Sequence, residues 1–211
     1  MSTEDKLKTV SPTFGNTVLP AVVGSQRKYQ IIYADPAWSY DDKCLHRGGA
    51  ERHYRTMDIE DIKNLPVNEI ADENCILFMW ATFPKLQEAL DVINAWGFQY
   101  KTNAFTWVKK NKKADSLFWG MGRWTRSNAE ICLLAVKGSP KRLDMGVHSV
   151  IYAPIDKHSK KPQETRDRII RLVGDLPRIE LFAREVPEGW DVMGFDVDGK
   201  SIQESIKLLA Q

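Results

Sequence analysis

The sequence predicts an α/β domain in which a largely parallel sheet is covered by helices on both faces. Three observations predict it. Short, continuously apolar runs such as YQIIYA (29–34), CILFMWA (75–81) and RIELFA (178–183) read as strands buried on both sides, since a strand with one wet face would alternate. Between them lie stretches with apolar residues at helical spacing, so strands and helices take turns along the chain. The length, 211 residues, suits one domain with a substantial core.

Residues 1–27 have weak periodicity and Ser, Thr, Gly and Pro breakers, which predicts a loose arm ordered only near Val18–Val23; residues 28–211 form a single domain. YQIIYA is the first strand, ended abruptly by Asp35-Pro36-Ala37-Trp38, and CILFMWA is the second. PKLQEALDVINAW (84–96) reads as a helix, with Pro84 in the first turn, Gly97 as the stop, and a stripe of Leu86, Ala89, Leu90, Ile93 and Trp96. Strands follow at FQYKTNAFTWV (98–108), EICLLAV (130–136) and SVIYAP (149–154). A helix runs from Gln163 to about Val173, carrying Ile169, Ile170 and Val173 and ending at Gly174. RIELFA is the last long strand, a short one lies around Trp190–Met193, and the tail after Lys200 is helical. Trp80, Trp96 and Trp107 fall inside these patterns as core residues.

Composition excludes several classes. Hydrophobic residues make up 43% and charged residues 27%, the profile of a globular protein, and no run approaches the roughly 18 apolar residues of a membrane span. MSTEDKLKTV lacks a signal-peptide core, which points to the cytoplasm. Cys44, Cys75 and Cys132 form no CxxC pair and the four histidines lack ligand spacing, so neither a disulfide framework nor a metal is expected. A net charge of +2 does not by itself identify a nucleic-acid binder. Its distribution says more: Lys109, Lys110, Lys112, Lys113, Arg123 and Arg126 interleave with Phe118, Trp119 and Trp124. A charge run is ordinarily a solvated face, but cations and aromatics mixed in a Gly-rich loop suit backbone clamping and base stacking.

In parallel sheets ligands bind beyond the carboxyl ends of the strands. Two ends stand out, Ala34 to Trp38 and Leu181-Phe182-Ala183-Arg184, which places the candidate chemistry on one rim. Asp-Pro after a strand is equally a simple turn. At the end of a buried strand, however, Asp35 is a hydrogen-bond acceptor whose direction Pro36 presets. A nucleobase's exocyclic amine is a poor nucleophile because its lone pair is delocalised into the ring. A carboxylate and a carbonyl that hold both N–H groups favour the tetrahedral nitrogen it must become, and a nearby aromatic side chain stacks on the extracted base. Asp35, the Pro36 carbonyl, Trp38 and Tyr40 supply these parts.

At these residues the sequence resembles the MT-A70 family of adenine methyltransferases, whose signature is DPPW. The likeness runs in order through IIYADPAW (31–38), HYRTM (53–57), ILFMWAT (76–82), AWGFQY (95–100), FTWVKKN (105–111), the Trp124–Gly138 run, HSKKP (158–162) and RIELFAR (178–184). It implies a Rossmann-like class I methyltransferase sheet in permuted motif order, the catalytic motif preceding the cofactor-binding strand, which accounts for the missing GxGxxG. It also implies S-adenosylmethionine as cofactor.

By resemblance, Asp35 holds the target amine near the cofactor, Pro36 lends its carbonyl and Trp38 lines the base pocket. Phe182, Ala183 and Arg184 border the cofactor, with contacts also expected from His158, Ser159, Lys160, Pro162 and Lys109. Tyr40 and Tyr54 flank the substrate, and Glu130 orients loops beside the pocket through Arg123 or Arg126. Two departures stand out. Ala37 replaces the second proline, loosening the loop while keeping its polar groups. Where members often carry Gly-Asn, this chain has Met193-Gly194-Phe195-Asp196, so Asp196 is the expected ribose ligand. The resemblance implies N6-adenine methylation of DNA by a compact bacterial or phage enzyme, with RNA methylation, or a catalytically silent nucleic-acid-binding partner, as alternatives. A homodimer is compatible with the family's habit of pairing.

Overall fold

The computed structural model describes residues 27–40, 56–122, 124–156 and 160–210. Seven strands are described: β1 (Tyr29–Ala34), β2 (Ala71–Ala81), β3 (Gln99–Lys110), β4 (Ala129–Lys137), β5 (Val150–Pro154), β6 (Arg178–Leu181) and β7 (Asp191–Met193). They form one sheet in the order β5-β3-β4-β2-β1-β6-β7. β1 pairs in parallel with both β2 and β6, β6 with β7, and β3 with β5, while β4 is antiparallel to β2 and β3. Six strands therefore point one way and β4 alone points back, which makes the sheet mixed although largely parallel.

The helices are α1 (Ile59–Lys63), α2 (Leu86–Ala95), α3 (Gln163–Val173), α4 (Phe195–Asp198) and α5 (Ile202–Ala210). Alternation along each strand sorts the core into two layers. Ile32, Ala34, Leu77, Met79 and Leu133 face a layer containing Ile62 of α1, Ala89, Val92 and Ile93 of α2, and Ile202 and Ile206 of α5. Ile31, Tyr33, Ile76, Phe78, Trp80 and Cys132 face Ile169 and Val173 of α3. Helices thus cover both faces, and the central strands are apolar throughout because neither side meets water.

The expected punctuation operates where it was read. Pro84 lies in a short 3-10 turn leading into α2, and Gly97 ends that helix at φ 80, a conformation that suits a residue without Cβ. β2 starts earlier than its apolar run, at Ala71, and the short helices α1 and α4 have too few turns to show a period. Trp80, Trp96 and Trp107 are buried. Arg27, read as the end of the arm, forms an ion pair of 2.9 Å with Asp191. Val18–Val23 lie outside the described residues.

Candidate active site

Parallel packing sends the carboxyl ends of β1, β2, β6 and β7 to one rim, and the reversed β4 brings its first residues to that rim too. Asp35 follows directly on β1. The next residues turn tightly: the Trp38 N–H donates to the Pro36 carbonyl (2.9 Å), and the Met57 N–H donates to the Ala37 carbonyl (2.9 Å). The Trp38 indole N–H donates to the Trp80 carbonyl (3.1 Å), which leaves the ring almost wholly buried. The loop is thus stitched to the Thr56–Met57 segment on one side and to β2 on the other, so its shape does not depend on a second proline.

Two cavities meet at Asp35 and Arg184. The larger, about 510 Å³, is lined by Asp35, Ala37, Thr56, Met57, Asp61, Phe182, Ala183, Arg184, Gly194, Phe195, Asp196 and residues 201–203. That volume falls within the roughly 300–1,000 Å³ typical of small-molecule sites. Its floor is built by the ends of β6 and β7. Phe182 has φ 62, an unusual left-handed conformation for a phenylalanine, and the next N–H, of Ala183, donates to the Met193 carbonyl (2.9 Å). A Cβ on Gly194 would fall 2.4 Å from the Ala183 carbonyl oxygen, so only glycine lets the two strand ends approach this closely. The smaller cavity, about 40 Å³, is lined by Asp35, Pro36, Trp38, Tyr40, Trp80, Ala81, Thr82, Glu130, Lys161 and Arg184. Tyr40 is fixed there by a 2.7 Å hydrogen bond between its hydroxyl and that of Thr82.

From Asp35 along the smaller cavity runs a chain of alternating charge. Lys161 donates to Asp35 at 2.6 Å and lies 3.4 Å from Glu130, which in turn receives Lys109. The side chains of Asp35, Lys161 and Glu130 are all less than one-fifth exposed. Burial alone would raise the Glu130 carboxyl, but Lys161 and Lys109 outweigh it and hold it below the usual carboxylate range. Lys161 also lies 5.4 Å from the Trp80 ring centre, and Lys109 5.0 Å from that of Trp107.

Several sequence-derived assignments fall elsewhere. Lys160 points away from Asp35 and pairs with Glu185 at 2.7 Å, because neighbouring side chains of an extended segment face opposite ways. The lysine that touches Asp35 is the next residue, Lys161; the signal available for it was the need of two buried carboxylates for a shared cation. Pro162 serves as the N-cap of α3. Glu130 takes lysines rather than Arg126, whose guanidinium instead covers the Trp119 ring at 5.5 Å. Lys109, Lys160, Pro162 and Arg126 line neither cavity, whereas Phe182, Ala183, Arg184 and Asp196 line the larger one. Tyr54, Arg123, His158 and Ser159 lie outside the described residues. Asp61, Thr56, Phe195 and Gln203 line the larger cavity without having been singled out by sequence; α1, α4, α5 and the segment before α1 bring them there only through tertiary packing.

Below this rim, Arg166 of α3 forms a buried two-pronged pair with Glu180 of β6 (2.7 and 3.0 Å) and reaches Glu185 at 3.3 Å. It ties α3 to the strand that carries Phe182 to Arg184.

A carboxylate shared by a cofactor-sized cavity and a smaller polar pocket, at the strand ends of an α/β sheet, fits a group-transfer enzyme. Residues 29–196 match the MT-A70 family model, and the chain belongs to that family: it is an S-adenosylmethionine-dependent methyltransferase. The Type II methyltransferase M.MunI of Mycoplasma sp is 32% identical over 197 residues, covering 84% of this chain and 82% of that protein. The N(6)-adenosine-methyltransferase catalytic subunit METTL3 of Homo sapiens is 30% identical over 176 residues, covering 82% of this chain but 29% of that protein. An MT-A70-like N(6)-adenosine-methyltransferase of Arabidopsis thaliana is 26% identical over 183 residues, 85% of this chain and 25% of that protein. The chain thus spans most of the bacterial relative and under a third of the two eukaryotic ones.

The donor set of the larger cavity fits the cofactor. Arg184, and Lys161 beside it, can meet a carboxylate, Asp196 can accept from ribose hydroxyls, and the walls of Ala37, Met57, Phe182 and Ile202 supply the apolar surface a purine needs.

Proposed function

We propose that the protein methylates N6 of adenine in DNA, with Asp35 as the residue that binds the amine. The observation that carries this reading is the position of Asp35, which lines both cavities at once and so stands where donor and acceptor must meet. S-adenosylmethionine, when bound in the larger cavity, supplies an electrophilic methyl group. Asp35 and the Pro36 carbonyl accept the two amine hydrogens and aim the nitrogen lone pair. Although the Pro36 carbonyl already receives the Trp38 N–H, its oxygen has a second lone pair for the substrate. Lys161, donating to Asp35 at 2.6 Å, fixes the direction of its carboxylate. Arg184, Phe182, Ala183 and Asp196 hold the cofactor, and Trp38 and Tyr40 frame the base.

The smaller cavity has about the volume of one water molecule, roughly 30 Å³ in the liquid. Extracting the base from a duplex costs a few kcal/mol. The match to M.MunI along most of both chains favours DNA. The relatives named N(6)-adenosine-methyltransferases keep RNA as the second reading. The bacterial relative supports a place in the cytoplasm of a bacterium or of a phage's host, and we propose a homodimer, which sedimentation velocity tests.

The deciding assay is transfer of tritiated methyl groups to DNA and to RNA, followed by mass spectrometry of the nucleosides. We expect N6-methyldeoxyadenosine. Label confined to RNA moves the assignment to the second reading. Cofactor binding with neither product would leave a silent nucleic-acid-binding partner.

A further inference from the structure

We propose that the loop joining β3 to β4 is a stacking platform for unpaired nucleotides beside the target adenine, an inference that rests on the nucleic-acid reading above. Trp124 is 98% exposed, Met121 77% and Trp119 71%, within a span of six residues. Most surface tryptophans keep one face packed; an almost fully exposed indole is costly in water and calls for a partner.

The loop is nonetheless built. The Phe118 N–H donates to the Lys109 carbonyl and the Asn111 N–H to the Ser116 carbonyl, both at 2.9 Å, so its first half folds back onto the end of β3. A Cβ on Gly120 would lie 1.8 Å from the Ser127 carbonyl oxygen, and one on Gly122 2.2 Å from that of Thr125. The two sides of the loop therefore press backbone against backbone, and the indoles project from a closed turn.

Charge selects the occupant. Lys113 and Arg126 accompany the aromatics, with Lys112 shared with Asp156 at 3.5 Å, while Asp115, the loop's one carboxylate, is paired with Lys110 at 2.9 Å. Arg126 already stacks on Trp119, leaving a cation and an aromatic face together, the combination that takes a phosphate and its base. Position selects the role. Phe118 is bonded to Lys109, Lys109 is paired with Glu130, and Glu130 lines the smaller cavity, so Trp119 stands one residue beyond a contact chain that ends at the base pocket. A strand whose target base enters that pocket has its neighbouring bases unstacked at the rim, and the indoles replace the stacking they lose.

The experiment measures binding rather than transfer. Fluorescence anisotropy is read with labelled single strands of about twelve nucleotides, DNA and RNA, each carrying one adenine, and with versions abasic on either side of it. We expect Trp119→Ala and Trp124→Ala each to weaken binding about tenfold, and the Phe variants to restore most of it. The abasic strands should weaken binding to the parent but not to the double Ala variant. Cofactor affinity by calorimetry should stay unchanged, which also reports that the variants are folded. Equal affinity of parent and Ala variants overturns the proposal, as does equal affinity for intact and abasic strands. A parent that sediments as a dimer, with monomeric Ala variants of unaltered oligonucleotide affinity, assigns the loop to self-association and overturns it too. Tryptophan-dependent binding without methylation keeps the platform and removes the transferase reading, so the two failures are distinct.

Discussion

Replacing Lys161 with methionine tests the charge chain at its centre. The change keeps length and apolar volume but removes a cation that is 9% exposed and lies 2.6 Å from Asp35 and 3.4 Å from Glu130. Deleting one partner of a buried pair costs roughly 3–5 kcal/mol, because the remaining charge stays buried without compensation. Here Lys109 still serves Glu130, so the lower end, about 3 kcal/mol, is expected. For a domain of this size that corresponds to a loss of about 6–12 °C in melting temperature.

The pH dependence follows from Glu130. In the parent, Glu130 sits below its ordinary value, so its contribution is fully present above the unfolded value of about 4.3 and is lost as pH falls through the folded one. In the variant, burial acts with less opposition and raises the carboxyl; the penalty of the ionised form then disappears as acid neutralises it. Both effects narrow the gap between parent and variant on acidification. Urea unfolding at about pH 8 and about pH 3.5 measures it. A gap below about 1 kcal/mol at the higher pH, or one that does not shrink at the lower, would refute the assignment of Lys161 as the shared counter-ion.

Asp35→Ala should abolish methyl transfer while leaving the circular dichroism spectrum unchanged. Asp196→Ala should weaken cofactor binding about tenfold by calorimetry if its carboxylate holds the ribose, the worth of one hydrogen bond to a charged group; unaltered affinity removes that assignment. Arg166→Met should destabilise the fold by about 3–5 kcal/mol in urea unfolding, because it strands Glu180. Adding Glu180→Gln should recover part of that loss, whereas a simply additive double variant would show that the pair is not coupled.

The sheet was legible because its central strands are buried on both faces, and continuous apolar runs such as ILFMWA have no other ready use in a chain of this length. Stripes and stops located α2 and α3 for the same reason: 10 and 11 residues carry several turns of periodic signal. α1 and α4, with five and four residues, carry about one turn each and were invisible. The rim was legible at Asp35 and at Phe182 to Arg184 because each follows a strong strand. Lys161 was not, since only the opposing directions of adjacent side chains separate it from Lys160. The sequence marks that both lysines are present; the fold decides that one meets Asp35 and the other Glu185. Asp61 and Gln203 were hidden for a related reason: residues so far apart in sequence become cavity neighbours only after packing.

The reversal of β4 has a consequence for how such an enzyme can change its target. Parallel neighbours need a long crossover that spans the sheet, whereas β3 and β4 are joined by a hairpin whose connection leaves from the rim that carries Asp35 and Glu130. Doubling the length of a flexible connection adds only about 0.6 kcal/mol of closure entropy. Insertions there leave both strands in register and all the groups around Asp35 in place. Substrate choice and chemistry are therefore under separate control, and a new recognition preference can be tried at the hairpin with almost no thermodynamic resistance from the rest of the domain.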